Sequence, residues 1–197
     1  GRLHRGYSSP PRQAGMQTMP RLPTMSARLS FITDLVIFQV AWFGCVLATR
    51  SPFPHLLPIL VLLLVLVRVL LTRGLAQALP FTFACLILGV VGDATLVNLG
   101  LLSFEPYPSL FGAPLWMVAL WLNFGLMLRP LFTWFLDHCW RAIIGFSAGG
   151  VVAYYSGQKL EVLTLSIDLQ SHLGVAVEWA IAGLVLRYLH LKFPLPE

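Results

Sequence analysis

Residues 79–101 read LPFTFACLILGVVGDATLVNLGL, a run in which Asp93 is the single ionisable side chain. At about 1.5 Å of helix rise per residue, the run is long enough to cross the roughly 30 Å of bilayer hydrocarbon. It has no polar stripe of the kind that a helix on a soluble protein presents to water. Five more apolar stretches lie around it. Ser30–Thr49 and Phe53–Leu71 precede it, and Phe111–Leu128, the shorter Ala142–Ser156 and Leu173–Leu189 follow. The chain therefore reads as all-α, a polytopic membrane helix bundle of about six transmembrane helices.

Composition points the same way. The 197 residues are 57% hydrophobic and 11% charged, with a mean hydropathy of +0.79. Soluble domains carry roughly 25% charged residues, so this chain has too few to clothe a soluble surface. Its net charge of +5 comes from basic residues strung beside the apolar runs rather than gathered on one face. That distribution argues against nucleic acid as a partner, because a phosphate footprint needs clustered Lys and Arg.

The same basic residues set an orientation. With the N-terminus in the cytoplasm, eleven Lys and Arg fall on the cytoplasmic side and only Arg50 and Lys159 outside, the bias that cytoplasmic loops show. An even number of spans then returns the C-terminus to the cytoplasm. Residues 1–28 carry Arg2, Arg5, Arg12, Arg21 and Arg28, no acid and no apolar period. They read as a disordered basic N-terminal tail, with 29–197 forming a single transmembrane helical domain. The opening Gly reads as a trimmed or fused start, with Met16, Met19 or Met25 as candidate first residues.

Two stretches depart from the helical pattern. Residues 131–141 gather Phe132, Trp134, Phe135 and Trp140 with Asp137, His138 and Arg141, the mixture expected of an aromatic interfacial segment. Residues 163–170 alternate apolar with polar, which is strand period and predicts a short extended piece on the outer face.

Ionisable groups inside spans are costly in hydrocarbon and are the first candidates for function. Asp34 lies near the cytoplasmic end of the first span, from which it can reach the interface. Asp93 and Glu178 lie deeper. They come from helices of opposite direction and yet fall at the same depth, in the outer half of the bilayer. Small residues share a side with each, Cys85, Gly89 and Gly100 with Asp93, and Gly174 and Ala182 with Glu178. Gly145 and Gly149 form a GxxxG pair in the fifth span, and Tyr154 or Tyr155 can bond a carboxylate. Two acids so placed would share a proton rather than both ionise. Asp93 and Glu178 are thus the candidate catalytic pair, able to serve in acid–base chemistry, in proton transfer or in cation binding. The plainer alternative is that each is satisfied locally and only fixes helix packing. Gln39, Trp42, Asn123 and Tyr154 are the candidate binding residues, polar edges on faces that suit a lipid or polyene cavity, although such aromatic stripes also arise from packing alone.

Metal and cofactor chemistry find no support. Cys45, Cys85 and Cys139 lack metal-type spacing, and the adjacent Asp137, His138 and Cys139 would point about 100° apart on a helix. Gly-rich phosphate loops and HExxH are absent. No cofactor and no metal site are expected.

Several short strings coincide with a known pattern: Phe38-Gln39, Trp42-Phe43, Cys45-Val46, Gly92-Asp93, Pro114, Trp116, Leu120-Trp121, Gly149-Gly150, Tyr154, Ser156-Gly157 and Glu178-Trp179. On these the chain resembles the Domain of Unknown Function 2878 family of small multi-pass bacterial inner-membrane proteins, over about residues 35–190. Two places differ from the pattern: Gly150-Val151 stands where Gly-Pro is expected, and Leu160-Glu161-Val162 where Leu-Gly-Ala is expected. The resemblance implies gene neighbours that look like cyclopropane-fatty-acid synthases and flavin amine oxidases. It thereby implies membrane lipids and fatty-acid-modifying enzymes as partners. The leading expectation is an accessory component or enzyme of membrane lipid or fatty-acyl modification. A small proton-coupled transporter or channel, and a scaffold subunit for soluble partners, are the alternatives.

Overall fold

The computed structural model describes residues 26–194. Most of the stretch read as a basic tail, with the candidate first methionines, lies outside the described residues. One α-helix forms at each of the six apolar stretches: α1 Ala27–Leu47, α2 Leu56–Thr72, α3 Leu79–Asn98, α4 Leu115–Leu136, α5 Cys139–Lys159 and α6 Asp168–Lys192. Ser26 caps α1 by accepting from the Leu29 amide at 3.3 Å. Gly74, at φ +76°, makes the turn into the 3₁₀ segment that precedes α3.

Contacts fix the helix directions. Asp34 near the start of α1 meets Arg68 and Arg73 at the end of α2, Gly92 of α3 meets Glu178 of α6, and Gly183 of α6 meets Ala142 of α5. Successive helices therefore run up and down the bundle. Four short strands are added at the end where α3 and α5 finish: β1 Leu102–Phe104, β2 Ser109–Leu110, β3 Ala113–Pro114 and β4 Leu163–Leu165. β1 pairs antiparallel with β4, Leu102 opposite Leu165 and Phe104 opposite Leu163; β2 and β3 form a small hairpin. The alternating stretch at 163–170 is thus extended only over Leu163–Leu165, and from Asp168 it is helix α6.

Two expectations are corrected. The stretch 131–141 is not a separate interfacial segment. α4 runs through Pro130 to Leu136 and α5 begins at Cys139, so Asp137-His138 is the whole joint. A proline inside a helix removes one backbone hydrogen bond, which neighbouring helices in a bundle can tolerate. The fifth helix is also longer than the apolar run suggested, 21 residues. Its ends carry Arg141, Gln158 and Lys159, which hid its length from hydropathy.

The distribution of polarity is that of a membrane protein. Leu71, Phe83, Ile144, Val177 and Tyr188 face outward, while Asp34, Asp93, Asn123 and Ser171 are buried. Exposed apolar surface on this scale is not tolerated by a soluble monomer. Four helices, α1, α3, α4 and α6, are long and apolar enough to cross a membrane, and α2 is a 17-residue apolar helix. α4 is the central element, buried along much of its length, with Trp116, Trp121, Phe124, Met127 and Leu128 in the core.

Asp34 departs from its sequence reading in one respect. It does not reach toward the interface but is fully buried, accepting from Arg68 Nε at 2.8 Å and from Arg73 Nη2. Arg68 also donates to the Ser30 hydroxyl at 3.0 Å. One carboxylate shared by two guanidinium groups ties α1 to α2 at the end opposite the strands.

Candidate functional site

A cavity of about 440 Å³ lies between α1, α4 and α5. α1 supplies Phe38, Gln39, Trp42, Phe43 and Val46; α4 supplies mainly aromatic and apolar side chains with Asn123; α5 offers its small-residue face, Gly145, Gly149, Ala153 and Ser156. Trp179 of α6 and Leu163 of β4 complete the wall. Gln39 and Phe43 on α1, and Gly149 and Val152 on α5, are exposed as well as lining. α1 packs on α2 and α4, and α5 on α6, but α1 and α5 hardly touch each other. The cavity therefore opens sideways between α1 and α5. On α5 Gly145 packs against the Phe135 ring of α4, but at Gly149 an added Cβ would meet nothing within 4 Å.

The four candidate binding residues, Gln39, Trp42, Asn123 and Tyr154, all line this one cavity. Asp93 and Glu178 do not line it. Asp93, fully buried, sits behind the wall and is reached through two residues that do. Tyr154 donates its hydroxyl to Asp93 Oδ1, and Trp121 donates its indole N–H to Asp93 Oδ2 at 3.1 Å. Glu178 lies against Gly92, the neighbour of Asp93, where no side chain larger than hydrogen fits. The two acids are thus at one level of the bundle, on facing helices. Both Glu178 carboxylate oxygens are buried without a hydrogen-bond partner among the described residues. Trp116 Nε1, Trp179 Nε1 and Asn123 Oδ1 are in the same condition. The Asn123 amide nitrogen donates to the Phe38 carbonyl at 3.3 Å, which leaves its oxygen free.

Local sequence explains how the tryptophans arrive. Gly89 on α3 leaves the space that the Trp121 indole occupies, and Gly150 on α5 does the same for Trp179. The two indoles then stack, centroids 4.6 Å apart and planes at 23°. Phe124 packs edge-on to both and to Phe146. Trp121 and Trp179 were not among the candidates read from the sequence. The signal was present, since each faces a glycine on a neighbouring helix, but a glycine's partner across a bundle cannot be read from one strand of sequence. Tyr155 is exposed, leaving Tyr154 as the tyrosine that meets the carboxylate.

Metal-type clusters of His, Cys, Asp and Glu are absent among the described residues. His138 begins α5 with no side-chain cap, and His172 contacts the Asp168 backbone carbonyl at 2.6 Å rather than its carboxylate.

The site's chemistry is that of an apolar, aromatic chamber with one polar wall. Its lining is mostly apolar and aromatic, with Gln39, Asn123 and Tyr154 among it. No curated protein and no solved structure is recognisably similar to the chain. A family model does match residues 31–184, most of its length, and its description is a protein of unknown function, DUF2878. The chain belongs to that family.

Proposed function

We propose that this member of DUF2878 is a multi-pass protein of the bacterial inner membrane that takes the acyl chain of a membrane lipid into the cavity between α1, α4 and α5. The observation that carries the reading is the sideways opening: Gln39, Phe43, Gly149 and Val152 are both lining and exposed. Helices clad in Leu, Val and Phe face hydrocarbon on their outer sides. A slot between two such helices is entered from the bilayer, where acyl chains are the abundant solute. The aromatic lining suits methylene groups, and a cavity of this size falls in the range of small-molecule sites.

All six helices span the membrane in this reading, with both termini in the cytoplasm. The excess of Lys and Arg at the strand-free end supports that orientation. The strands and the polar wall then lie toward the outer leaflet.

Modification of the bound chain, as enzyme or as accessory to one, is supported by Tyr154. Tyr154 lines the cavity and its hydroxyl donates to a buried carboxylate, so a proton could pass between Asp93 and a polar group of the ligand by way of the phenol. Asp93 is then a positioning residue acting through Tyr154. The same level placement of Asp93 and Glu178 supports proton-coupled transport as the second reading, which a proton-flux assay in vesicles addresses.

The test begins with the full chain extracted from membranes and its bound lipid identified by mass spectrometry. Wild type should retain acyl lipid, and Gly149→Trp, which plugs the opening, should retain much less. Equal retention by a folded Gly149→Trp protein sinks the acyl-chain reading. Membrane fatty acids of a deletion strain complemented with wild type, Asp93→Asn or Tyr154→Phe then address modification. Restoration of a missing acyl species by wild type alone supports it; profiles identical in all strains remove it.

A further inference from the structure

A second cleft, of about 150 Å³, lies near the strand-free end of the bundle, far along α4 from the cavity mouth. It is bordered by the end of α2 (Val69, Arg73, Gly74), the approach to α3 (Gln77, Ala78, Phe81) and α4 (Gly125, Leu126, Arg129, Pro130). Arg129 sits over the Phe81 ring, its guanidinium carbon 4.5 Å from the centroid. This cation–π contact holds the guanidinium without using its N–H bonds. Two of its nitrogens, Nε and Nη2, are buried and have no partner among the described residues. These two lie on one edge of the guanidinium, the edge that grips a carboxylate or phosphate with two parallel hydrogen bonds.

The electrostatics of the cleft are one-sided. Arg73 lines it as well, and its charge is shared with Arg68 by the single carboxylate of Asp34. Asp137, the next acid along the chain from Arg129, sits beside His190, 3.9 Å away. The end of α2 and the start of α3 both border the cleft, so their dipoles offset, and the arginines set its potential. Gly125 lets α4 approach α3 closely, since an added Cβ would lie 2.5 Å from the Thr82 Cα. A volume of this size admits on the order of five water-sized groups, which matches the five heavy atoms of a phosphate.

We infer that this cleft binds a phosphate group, gripped edge-on by Nε and Nη2 of Arg129 with Gln77 and Arg73 around it. The phosphate belongs either to the headgroup of a phospholipid or to free inorganic phosphate. Basic pockets between helices at the cytoplasmic face of a membrane suit anionic headgroups. The site is separate from the acyl cavity and does not depend on the reading of that cavity.

Thermal unfolding of the full chain in a phosphate-free maltoside detergent tests it. The probes are dioctanoyl-phosphatidylglycerol, dioctanoylglycerol (the same tails without phosphate) and sodium phosphate, all at constant ionic strength. Wild type and Lys192→Gln, an exposed charge at the same end, should show an unfolding temperature that rises with the phospholipid. Arg129→Gln should show no rise. Arg129→Lys, which keeps the charge but has no two-pronged edge, should need roughly tenfold more phospholipid for the same rise. If Arg129→Gln fails to fold, the lysine variant decides. A rise with phospholipid alone identifies a headgroup site, and a rise with inorganic phosphate as well identifies a site for the free ion. The inference is overturned if neither probe shifts wild type, if dioctanoylglycerol shifts it as much as the phospholipid, or if Arg129→Lys responds like wild type.

Discussion

Glu161 shows how much one residue's backbone can say. It sits at φ +56°, in the left-handed region that glycine enters freely and an L side chain enters at a cost of about 1–2 kcal/mol. The resemblance leads one to expect glycine at this place, and glycine would suit it conformationally: α5 ends here, and the chain must turn back into β4. What glutamate offers in return is a contact with Arg50 Nη2 at 2.8 Å, between two side chains that are 53% and 82% exposed. Exposed pairs of this kind contribute at most about 1 kcal/mol. Glu161→Gly should therefore leave the protein as stable or raise its stability by up to about 1 kcal/mol, read as the unfolding midpoint in detergent. A clear fall in midpoint would show that the ion pair outweighs the backbone. Asp34 predicts the opposite sign. Asp34→Asn leaves Arg68 and Arg73 facing each other across a neutral amide, and should cost on the order of 3–5 kcal/mol, or prevent accumulation in the membrane altogether. At this scale the sequence named Asp93, Tyr154, Gln39, Trp42 and Asn123. It did not reveal that Asp34 is buried, because its partners lie thirty-four and thirty-nine positions away on another helix.

Among the elements, α3 was the most legible, since a long run with one acid admits few other readings. The joint between α4 and α5 was the least. Aromatic residues at 131–141 suggested an interface, but Phe132 and Phe135 pack inward on Phe124 and Phe146 and continue the core. Amphipathic composition alone does not separate a helix end buried in a bundle from a segment lying on a membrane. The strands were legible as a period of two at 163–165, whereas β1 at 102–104 was hidden in what read as the end of a span and a turn-rich loop. The glycines of α3 and α5 carry a prediction that belongs here. Gly89→Leu and Gly150→Leu each place a side chain where an indole lies, and overpacking of this kind costs about 1–3 kcal/mol. Either change should also break the Trp121–Trp179 stack, visible as a change in near-ultraviolet circular dichroism. A variant that unfolds at the wild-type temperature with an unchanged spectrum would show that the indoles have room elsewhere.

For the whole molecule, the up-and-down order of helices places residues at two ends, and thiol labelling can tell which end faces the cytoplasm. Cys45 and Cys85 are buried, while Cys139 is exposed at the start of α5. A membrane-impermeant maleimide should leave Cys139 unlabelled in intact cells and label it in inverted vesicles. Glu161→Cys in a Cys139→Ser background should show the reverse. Swapped results would turn the molecule over and place the polar wall toward the inner leaflet. Lys and Arg counting predicts this orientation; the sideways opening of the cavity was not legible, because it exists only where α1 and α5 fail to meet.

Leu163 belongs to two structures at once: it pairs with Phe104 across β1 and β4, and it forms part of the cavity wall. The link from Arg50, just after α1, to Leu160 and Glu161, just after α5, closes over the same end. On the proposed acyl-chain reading, a chamber entered from the side and stopped at one end would measure what it holds. A tail whose terminal methyl stops short leaves empty volume, and one that is too long must buckle or stay outside. The strand pair would then act as the zero mark of a ruler for carbon number. Leu163→Ala would move that mark outward, shifting the retained lipids toward longer tails without changing the headgroups that accompany them.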